Sequence, residues 1–426
     1  MSQALPRRVA LVGGSRIPFC RASGPYADAS NIDMLAAALE CIDKRFELGG
    51  QVDEIAAGAV LKHARDVSLT REAALGAGFN PEVSTFDVSR ACATSLEAAV
   101  DIGNKIALGQ IDAGVAAGVD SASDVPIEIN DDLRRILLDI NHARHTTQWL
   151  RPLTRLRPGQ LKPDFPNIDE PRTGLSMGKH CEQMAKYWGI SRAAQDELAA
   201  ASHANAAAAY EAGFFDDLVA DYRGVTRDTN LRPDANVDKM SGLAPAFDRE
   251  HGTITAANAT ALTDGAAGVV LASEDWAAAR GLPVQAWLTP FSRSAAVDFA
   301  SGDEGLLMAP AHAVPKMLDA AGLSLGDFDY YEIHEAFAAQ VLCTLAAWES
   351  EDYCRNVLGR QAALGAIDRS RLNVNGSSIA LGHPFAATGA RILAMLAKLL
   401  YDNGGGRGLV SVCAAGGQGM TAILER

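Results

Sequence analysis

The segment from residue 85 to residue 120 constrains the fold of this chain most strongly. Residues 85–88 have the composition of a strand end, and the Ala-rich run from Leu96 to Leu108 has that of an apolar helix. Residues 113–120 are apolar almost throughout, which is typical of a central strand in a parallel sheet covered on both faces. A strand, a helix and a buried strand in this order predict an α/β fold.

Cys92 lies at the junction between this first strand and the helix. Backbone N–H groups are unpaired at a helix N-terminus, and the helix dipole favours an anion there. Both effects are expected to lower the pKa of the thiol, and the thiolate is the reactive form. The alternative is a buried structural cysteine, because that is the usual fate of a lone cysteine.

The residue pattern predicts the main elements along the rest of the chain, and residues 32–46 show helical periodicity of apolar residues. Helices are predicted over residues 32–46, 133–140, 177–188 and 192–212. Strands are predicted at residues 9–12, 55–60, 252–255, 268–272, 329–333 and 409–413. Gly13-Gly14 predicts a turn after the first strand. Residues 124–251 are richer in polar residues and loops, so we interpret them as an insertion into a regular α/β unit.

The C-terminal third repeats the pattern of the first. Residues 328–334 resemble residues 52–56, and the segment from Asn375 to Cys413 resembles the segment from Ser89 to Ala116. Chance explains either pair taken alone, but loops with cysteine or histidine fall at equivalent strand–helix junctions in both. The pattern therefore predicts two similar halves.

Charge and cysteine usage limit the classes of function. The net charge of −14 argues against nucleic-acid binding and requires a local basic patch for any phosphate-bearing ligand. The seven cysteines form no CxxC pair, which is typical of reduced cytoplasmic thiols. We see no targeting signal and no apolar run of the roughly 18 residues that a membrane span needs. We therefore expect a cytoplasmic protein, and no ligand spacing predicts a metal site.

Two further motifs accompany Cys92. His383 stands in Gly382-His383-Pro384, and Cys413 begins Cys413-Ala414-Ala415-Gly416-Gly417. Sulfur can accept and release an acyl group, and carbon–carbon bond chemistry needs an acid or base at the α-carbon. With these motifs the chain resembles the thiolase family, whose members cleave 3-ketoacyl-CoA or condense two acyl-CoA molecules. The resemblance extends over nearly the whole chain, with the motifs in family order.

The resemblance implies the α/β thiolase fold, in which two similar halves pack in five layers and carry an inserted loop domain. The N-terminal half would comprise residues 1–123 and 252–284, and the loop domain residues 124–251. The C-terminal half would comprise residues 285–426.

The resemblance also implies catalytic roles. Cys92 would be the acylated nucleophile, His383 the base that activates it, and Cys413 the acid or base at the α-carbon. Ala415 replaces a family glycine in the last motif, and its main-chain N–H can still face the thioester oxygen of CoA. A hydrogen-bonded loop histidine remains the alternative for His383.

The tetrapeptide His334-Glu335-Ala336-Phe337 resembles the oxyanion motif of the family. Many thiolases carry Asn at its first position and hold a water there, whereas His334 is similar to the degradative, trifunctional-complex β-type subgroup. Ala336 and Phe337 are implied CoA contacts. The alternative for His334 is a core histidine at the end of a strand.

Residues 252–267 resemble the loop that lines the family's pantetheine tunnel, with Ala256 and Thr260 as implied CoA contacts. Asp264 could instead cap a following Ala-rich helix. Met177, in Met177-Gly178, is similar to a residue near the acyl chain, and a core methionine is its alternative.

One dense basic cluster is the candidate site for the CoA phosphates. It consists of Arg134, Arg135, Arg144, Arg151, Arg155, Arg157 and Lys162. A solvated loop surface is one alternative. A surface for a membrane or a partner is another, because residues 133–140 could form an amphipathic helix.

The resemblance therefore implies a 3-ketoacyl-CoA thiolase that acts through an acyl-cysteine in fatty-acid β-oxidation. CoA and acyl-CoA would be substrates, with no permanently bound cofactor. A homodimer or tetramer is expected, with a multifunctional β-oxidation subunit as a further partner. One alternative is an acetoacetyl-CoA thiolase used for condensation. The other is a non-catalytic subunit of the same fold, which would be expected to lose Cys92, His383 or Cys413.

Overall fold

The computed structural model describes residues 6–166, 169–302 and 304–426. The predicted lack of a targeting signal concerns residues 1–5 in part, and these lie outside the described residues. The strands are β1 (Val9–Arg16), β2 (Cys20–Arg21), β3 (Glu54–Ala57), β4 (Ser84–Asp87), β5 (Ala113–Asp120), β6 (Asp169–Glu170), β7 (Leu175–Ser176), β8 (Thr263–Ser273), β9 (Ala286–Leu288), β10 (Arg293–Ala296), β11 (Tyr330–Ile333), β12 (Arg407–Ala414) and β13 (Gln418–Glu425).

The helices fall into α-helices and short 3-10 helices. The α-helices are α1 (Asn31–Phe46), α2 (Leu69–Gly76), α3 (Thr94–Ala107), α4 (Asp131–Asn141), α5 (Leu150–Leu153), α6 (Met177–Tyr187), α7 (Arg192–Glu211), α8 (Val237–Ser241), α9 (Glu274–Ala279), α10 (Ala309–Ala321), α11 (Ala338–Glu349), α12 (Glu351–Asn356), α13 (Ser378–Leu381) and α14 (Thr388–Asp402). The 3-10 helices are Ala91–Ala93, Thr146–Trp149, Pro158–Leu161, Leu306–Met308, Leu325–Asp327, Arg369–Arg371 and Phe385–Ala387.

The strands of the two halves join through one antiparallel pair. In the described residues the order is β11-β12-β13-β9-β1-β8-β5-β3-β4, with β10 on β13 and β2 on β8. Val9 of β1 pairs with Leu288 of β9 at the junction. On one side β3 and β5 are parallel and β8 is antiparallel to β5. On the other side β11 and β12 are parallel and β13 is antiparallel to β12. The two predicted similar halves are therefore confirmed.

In the described residues, successive side chains of a strand face opposite sides of the sheet and so contribute to different apolar cores, of which three are large. In β8, Val269 faces a central core with α3 and α14, and Val270 faces an outer core with α1 and α2. In β12, Val412 faces the central core, and Cys413 faces a second outer core with α10 and α11. Helices, sheet, helices, sheet and helices thus form the five predicted layers.

The predicted turn at Gly13-Gly14 is wrong, since β1 continues through both residues. The pairing of β1 with β8 shifts in register between Leu11 and Gly13, and the strand continues past this point. A Cβ on Gly14 would lie 2.6 Å from both the Ala394 Cβ and the Gly268 carbonyl oxygen. Glycine is therefore needed here for the close approach of the strand to α14, which sequence alone does not distinguish from a turn.

Two expectations around residue 260 are also wrong. Residues 252–255 form no strand, because the backbone N–H groups of Thr253 and Ile254 donate to the Glu182 carboxylate at 2.7 and 3.0 Å. Asp264 caps no helix, since it lies in β8. It is completely buried and accepts the Ser123 backbone N–H at 2.9 Å.

The helices predicted over residues 32–46, 133–140, 177–188 and 192–212 are present as α1, α4, α6 and α7. Within the described ranges, none of the helices combines the length and the apolar content that crossing a membrane requires. The boundaries of the inserted loop domain remain a prediction.

Candidate active site

Cys92 lies in the 3-10 helix between β4 and α3 and is half-buried. The preceding residue, Ala91, has a φ of 44°, which non-glycine residues seldom adopt. This backbone conformation raises the free energy by roughly 1–3 kcal/mol, so it persists only where surrounding contacts stabilise it. Thr94 does so, because its Oγ1 accepts the Arg90 N–H and donates to the Ala91 carbonyl, both at 2.8 Å. The strained turn fixes the direction of the Cys92 side chain.

His383 reaches Cys92 from the other half of the molecule. Its Nε2 lies 3.2 Å from the Cys92 Sγ across a separation of 291 residues. Its Nδ1 lies 2.6 Å from Thr388 Oγ1, and its backbone N–H donates to Thr263 Oγ1 at 2.8 Å. With the ring proton on Nδ1 and donated to Thr388, Nε2 is free to accept the thiol proton.

Burial keeps this pair neutral at rest. It raises the pKa of Cys92 to about 12; the Ala415 backbone N–H, hydrogen-bonded to the sulfur, opposes this, and Asp120 adds to it. Burial, and then the Arg391 charge, lower the pKa of His383 to about 3. The expectation of a lowered thiol pKa is therefore wrong, because desolvation outweighs the backbone hydrogen bonds that lower the pKa of Cys92. The proton has to move during the attack itself.

His334 follows β11 and is completely buried. Its ring centroid lies 4.1 Å from that of His383, and its Nδ1 lies 2.7 Å from Ser378 Oγ. Burial first, and then electrostatic interaction with His383 and Arg391, hold the pKa of His334 well below its usual value. Its Nε2 has no hydrogen-bond partner within the described part of the chain. The ring is therefore neutral and has one unused nitrogen.

The Glu335 carboxylate anchors the tetrapeptide. It is buried and accepts Ser202 Oγ–H and Asn373 Nδ2–H, both at 2.7 Å, and the Ile379 N–H at 3.2 Å. These contacts tie the segment after β11 to α7 and to the segment before His383. Glu335 therefore positions both histidine loops.

The loop over residues 252–262 lies against the tetrapeptide. Thr260 donates its backbone N–H to the Ala336 carbonyl at 3.1 Å, and Ala259 forms an isolated bridge with Phe337. Three predicted CoA contacts, Thr260, Ala336 and Phe337, thus lie together beside His334. Ala256 is exposed in the same loop.

Met177 is the first residue of α6 and is half-buried. It packs on the apolar cluster that contains Cys413 and Ala336 and that Phe337 also contacts. The structure therefore places Met177 on the Cys413 side of the site.

Cys413 lies near the end of β12 with only 1% of its surface exposed. Burial, and then the nearby Cys92, raise its pKa well above the usual value, so the resting group is a thiol. The turn that follows needs glycine, because Gly416 and Gly417 have φ values of 76° and 68°. Ala415, in the same turn, is close enough to Cys92 for its backbone N–H to lower the pKa of that thiol.

Close helix packing brings the two halves together at the site. A Cβ on Gly389 of α14 would lie 2.4 Å from the Leu96 backbone nitrogen of α3. The Ala390 N–H donates to Ser95 Oγ at 2.8 Å across the same contact. Asp120, at the end of β5, accepts the Ala386 N–H at 2.8 Å. Cys92 and His383 are held together by these contacts.

Sequence reasoning did not single out four residues that support the site: Asp120, Thr388, Ser378 and Arg391. Thr388 could have been found from its place five residues after His383 on a new helix. No sequence signal distinguishes the other three, because their partners lie on different elements.

Three of the seven members of the basic cluster pair with acidic residues of the insertion. Arg134 and Arg135 pair with Asp131 at 2.5 and 2.7 Å, and Arg155 pairs with Asp139. The remaining members, Arg144, Arg151, Arg157 and Lys162, form no ion pair with any residue that the structure describes. A phosphate site built from the whole cluster is therefore less supported than one built from these four.

Cys92, His334 and His383 also form a group whose ligand atoms lie within 4.8 Å of one another, a spacing that a metal ion could use. Sequence spacing could not show it, because the three residues come from three separate segments. The predicted absence of a metal site stays a prediction.

Comparisons with known proteins agree with this geometry. Residues 9–275 match the family model "Thiolase, N-terminal domain" and residues 288–426 match "Thiolase, C-terminal domain". The 3-ketoacyl-CoA thiolase of Pectobacterium atrosepticum is 42% identical, over 100% of this chain and 99% of the relative. That of Yersinia pestis is 41% identical over 100% of both. The crystal structure of the Bacillus anthracis acetyl-CoA acetyltransferase superposes with a TM-score of 0.80 at 29% identity, covering 99% of this chain and 100% of that one.

Proposed function

Because the chain belongs to the thiolase family, we propose that it is a 3-ketoacyl-CoA thiolase. It would be an acyltransferase that cleaves 3-ketoacyl-CoA with CoA, giving acetyl-CoA and a shortened acyl-CoA. The observation that carries the proposal is the 3.2 Å contact between Cys92 Sγ and His383 Nε2, with Cys413 and the unpaired His334 Nε2 beside it. A nucleophile, a base, a second thiol and an oxyanion donor are what this cleavage requires.

In the first half of the proposed reaction, Cys92 attacks the 3-keto carbon and His383 Nε2 takes the thiol proton. The new C–S bond forms as the bond between the α- and β-carbons breaks, which leaves an acyl group on Cys92. The departing acetyl-CoA enolate carries negative charge on its thioester oxygen, and the neutral His334 donates to it. Cys413, kept as a thiol by burial, then protonates the α-carbon.

In the second half, a CoA thiol replaces acetyl-CoA. The Cys413 thiolate takes the proton of the CoA thiol, and the CoA sulfur attacks the acyl group on Cys92. Cys92 leaves as a thiolate and recovers its proton from the His383 imidazolium. Both cysteines and the histidine are thereby restored, so the cycle needs no resident cofactor beyond the CoA substrates.

A chain-length series tests the proposed degradative role in fatty-acid β-oxidation. Thiolysis of 3-ketoacyl-CoA longer than acetoacetyl-CoA is expected to be at least as efficient as cleavage of acetoacetyl-CoA. The reason is that the tetrapeptide beginning with His334 resembles that of the degradative thiolases. Steady-state kcat/KM for each chain length is the measurement. If acetoacetyl-CoA alone is accepted, the condensing acetoacetyl-CoA thiolase replaces this proposal. The Bacillus anthracis acetyl-CoA acetyltransferase, similar over 99% of the chain, is the observation that favours that second candidate.

His334→Ala is expected to lower turnover by roughly 100- to 1000-fold with little loss of CoA affinity, because it removes a donor to developing charge. His334→Asn should recover part of the rate by holding a water. His203→Ala removes a buried histidine of α7 and serves as the control for general destabilisation. Turnover of His334→Ala at the parent rate would show that the oxyanion role is wrong.

The presence of Cys92, His383 and Cys413 in one site argues against the alternative of a non-catalytic subunit.

An assembly of two or four copies is also proposed. β4 ends the sheet, and its outer edge pairs with no strand of the described residues, so its backbone groups are available to a second copy.

Exposed side chains of the insertion, residues 124–251, support the proposal that a partner subunit of β-oxidation binds this protein. Large apolar side chains are exposed there alongside the basic residues: Ile127, Ile129, Leu137, Leu138, Trp149, Leu150, Leu153, Leu156, Leu161 and Phe165. Large apolar side chains exposed next to basic residues are what a docking surface for a partner would present. A cytoplasmic location is proposed from the reduced cysteines.

A further inference from the structure

A chain of buried hydrogen bonds runs from Arg391 through Ser378 to His334. Arg391 Nη2 lies 2.6 Å from Ser378 Oγ, and Ser378 Oγ lies 2.7 Å from His334 Nδ1. All three side chains are completely buried. The reaction described above uses neither Arg391 nor Ser378 directly.

The donor of each hydrogen bond follows from its chemistry. A guanidinium only donates, so Ser378 Oγ accepts from Arg391. The hydroxyl has a single proton, and His334 Nδ1 is the one acceptor within its reach in the part of the chain that the structure describes. Ser378 therefore donates to Nδ1. A neutral imidazole then carries its proton on Nε2, the nitrogen without a partner.

Burial of Arg391 is energetically unfavourable, because a charge loses its hydration in the interior unless it is paired there. Its contacts are the hydroxyls of Ser377 and Ser378 and the sulfur of Met395, at 3.2, 2.6 and 3.8 Å. Burial lowers the pKa of Arg391 to about 10, and the nearby Glu332 opposes that shift, so the guanidinium is charged at neutral pH. Its positive charge also disfavours a second proton on His334.

We propose that Arg391 and Ser378 are positioning residues that fix His334 in the tautomer whose Nε2–H points at the substrate oxygen. The kinetic part of this inference rests on the proposed oxyanion role of His334, whereas the tautomer itself does not. A histidine with the proton on Nδ1 would present a lone pair to the developing oxyanion and repel it. By fixing the tautomer, the hydrogen bond from Ser378 makes His334 a donor to the oxyanion instead of a group that repels it.

¹⁵N NMR of the resting enzyme labelled at histidine tests the tautomer without any activity measurement. The His334 signals are assigned by their loss in His334→Asn. In the parent we expect a protonated Nε2 and an unprotonated Nδ1, and in Ser378→Ala a shift of both signals toward the other tautomer. Ser377→Ala is the matched control, because Ser377 accepts from Arg391 Nη1 but lies 3.4 Å from the Ile333 carbonyl instead of touching His334. Unchanged His334 signals in Ser378→Ala would overturn the proposal.

A double-mutant cycle tests the consequence for catalysis. Ser378→Ala is expected to lower kcat about tenfold with KM nearly unchanged, which is the size of effect that one hydrogen bond gives. In a His334→Ala background the same substitution should have no further effect, since both residues act through one interaction. Arg391→Lys, which keeps the charge, should retain more activity than Arg391→Met.

Full, additive losses from Ser378→Ala and His334→Ala would show that Ser378 supports only the fold, and the positioning role would then be wrong. If the parent enzyme showed no thiolysis at all, the proposed function would fail, while the NMR result would still decide the tautomer.

Discussion

Replacing Cys92 by alanine is expected to abolish acyl transfer while leaving the fold intact. Cys92 is half-buried in a short turn, so losing its sulfur removes little packing, yet no other described thiol has an imidazole nitrogen at 3.2 Å. Mass spectrometry after incubation with acyl-CoA should find the acyl group on Cys92 in the parent and nowhere in the variant. Circular dichroism and thermal unfolding should be close to those of the parent.

Cys41→Ala is the control for this experiment. Cys41 is a partly exposed thiol on α1, remote from the site in the fold, and its variant should keep both the acyl label and the turnover. An acyl group on a residue other than Cys92, or thiolysis by Cys92→Ala, would contradict the assignment of the nucleophile.

The fold was predictable where periodicity and burial agree. The buried residues of α1 lie on one face, and β5 is apolar up to its last residue, Asp120, so each pattern has one interpretation. α10 and α11 were not predicted. Pro315 lies inside α10 and argues against a helix there, and α11 is buried on nearly all sides, so it shows no amphipathic repeat.

The site was predictable as a set of residues but not as an arrangement. Cys92, His334, His383 and Cys413 stand in motifs, whereas the hydrogen bond from Ser378 to His334 spans 44 residues and joins two loops. The sign of the thiol pKa shift was predicted wrongly, because local sequence shows the helix N-terminus and not the burial that opposes it. Ala91 could not be recognised as a strained residue, since alanine gives no signal of a positive φ.

Cys413→Ala is expected to slow the exchange of the α-protons of acetyl-CoA by about 10²–10⁴-fold, the usual contribution of a general acid or base. Acylation of Cys92 from an acyl-CoA should fall much less. The CoA thiolate is a weak base that can leave without immediate protonation by Cys413, whereas exchange at carbon needs an acid or base in the step itself. Deuterium uptake into acetyl-CoA in D₂O measures the first rate, and formation of the acyl-enzyme measures the second. The ratio of the two losses is the quantity that identifies a role at the α-carbon.

Cys343→Ala provides the matched control for packing. Cys343 is a completely buried thiol of α11 in the same apolar cluster as Cys413, so both substitutions leave a cavity of similar chemistry. Cys343→Ala should lower thermal stability about as much as Cys413→Ala while leaving the ratio of the two half-reactions at the parent value. If Cys413→Ala slowed both half-reactions equally, as a general disturbance of the cluster would, Cys413 would be a structural residue and another group would have to protonate the enolate.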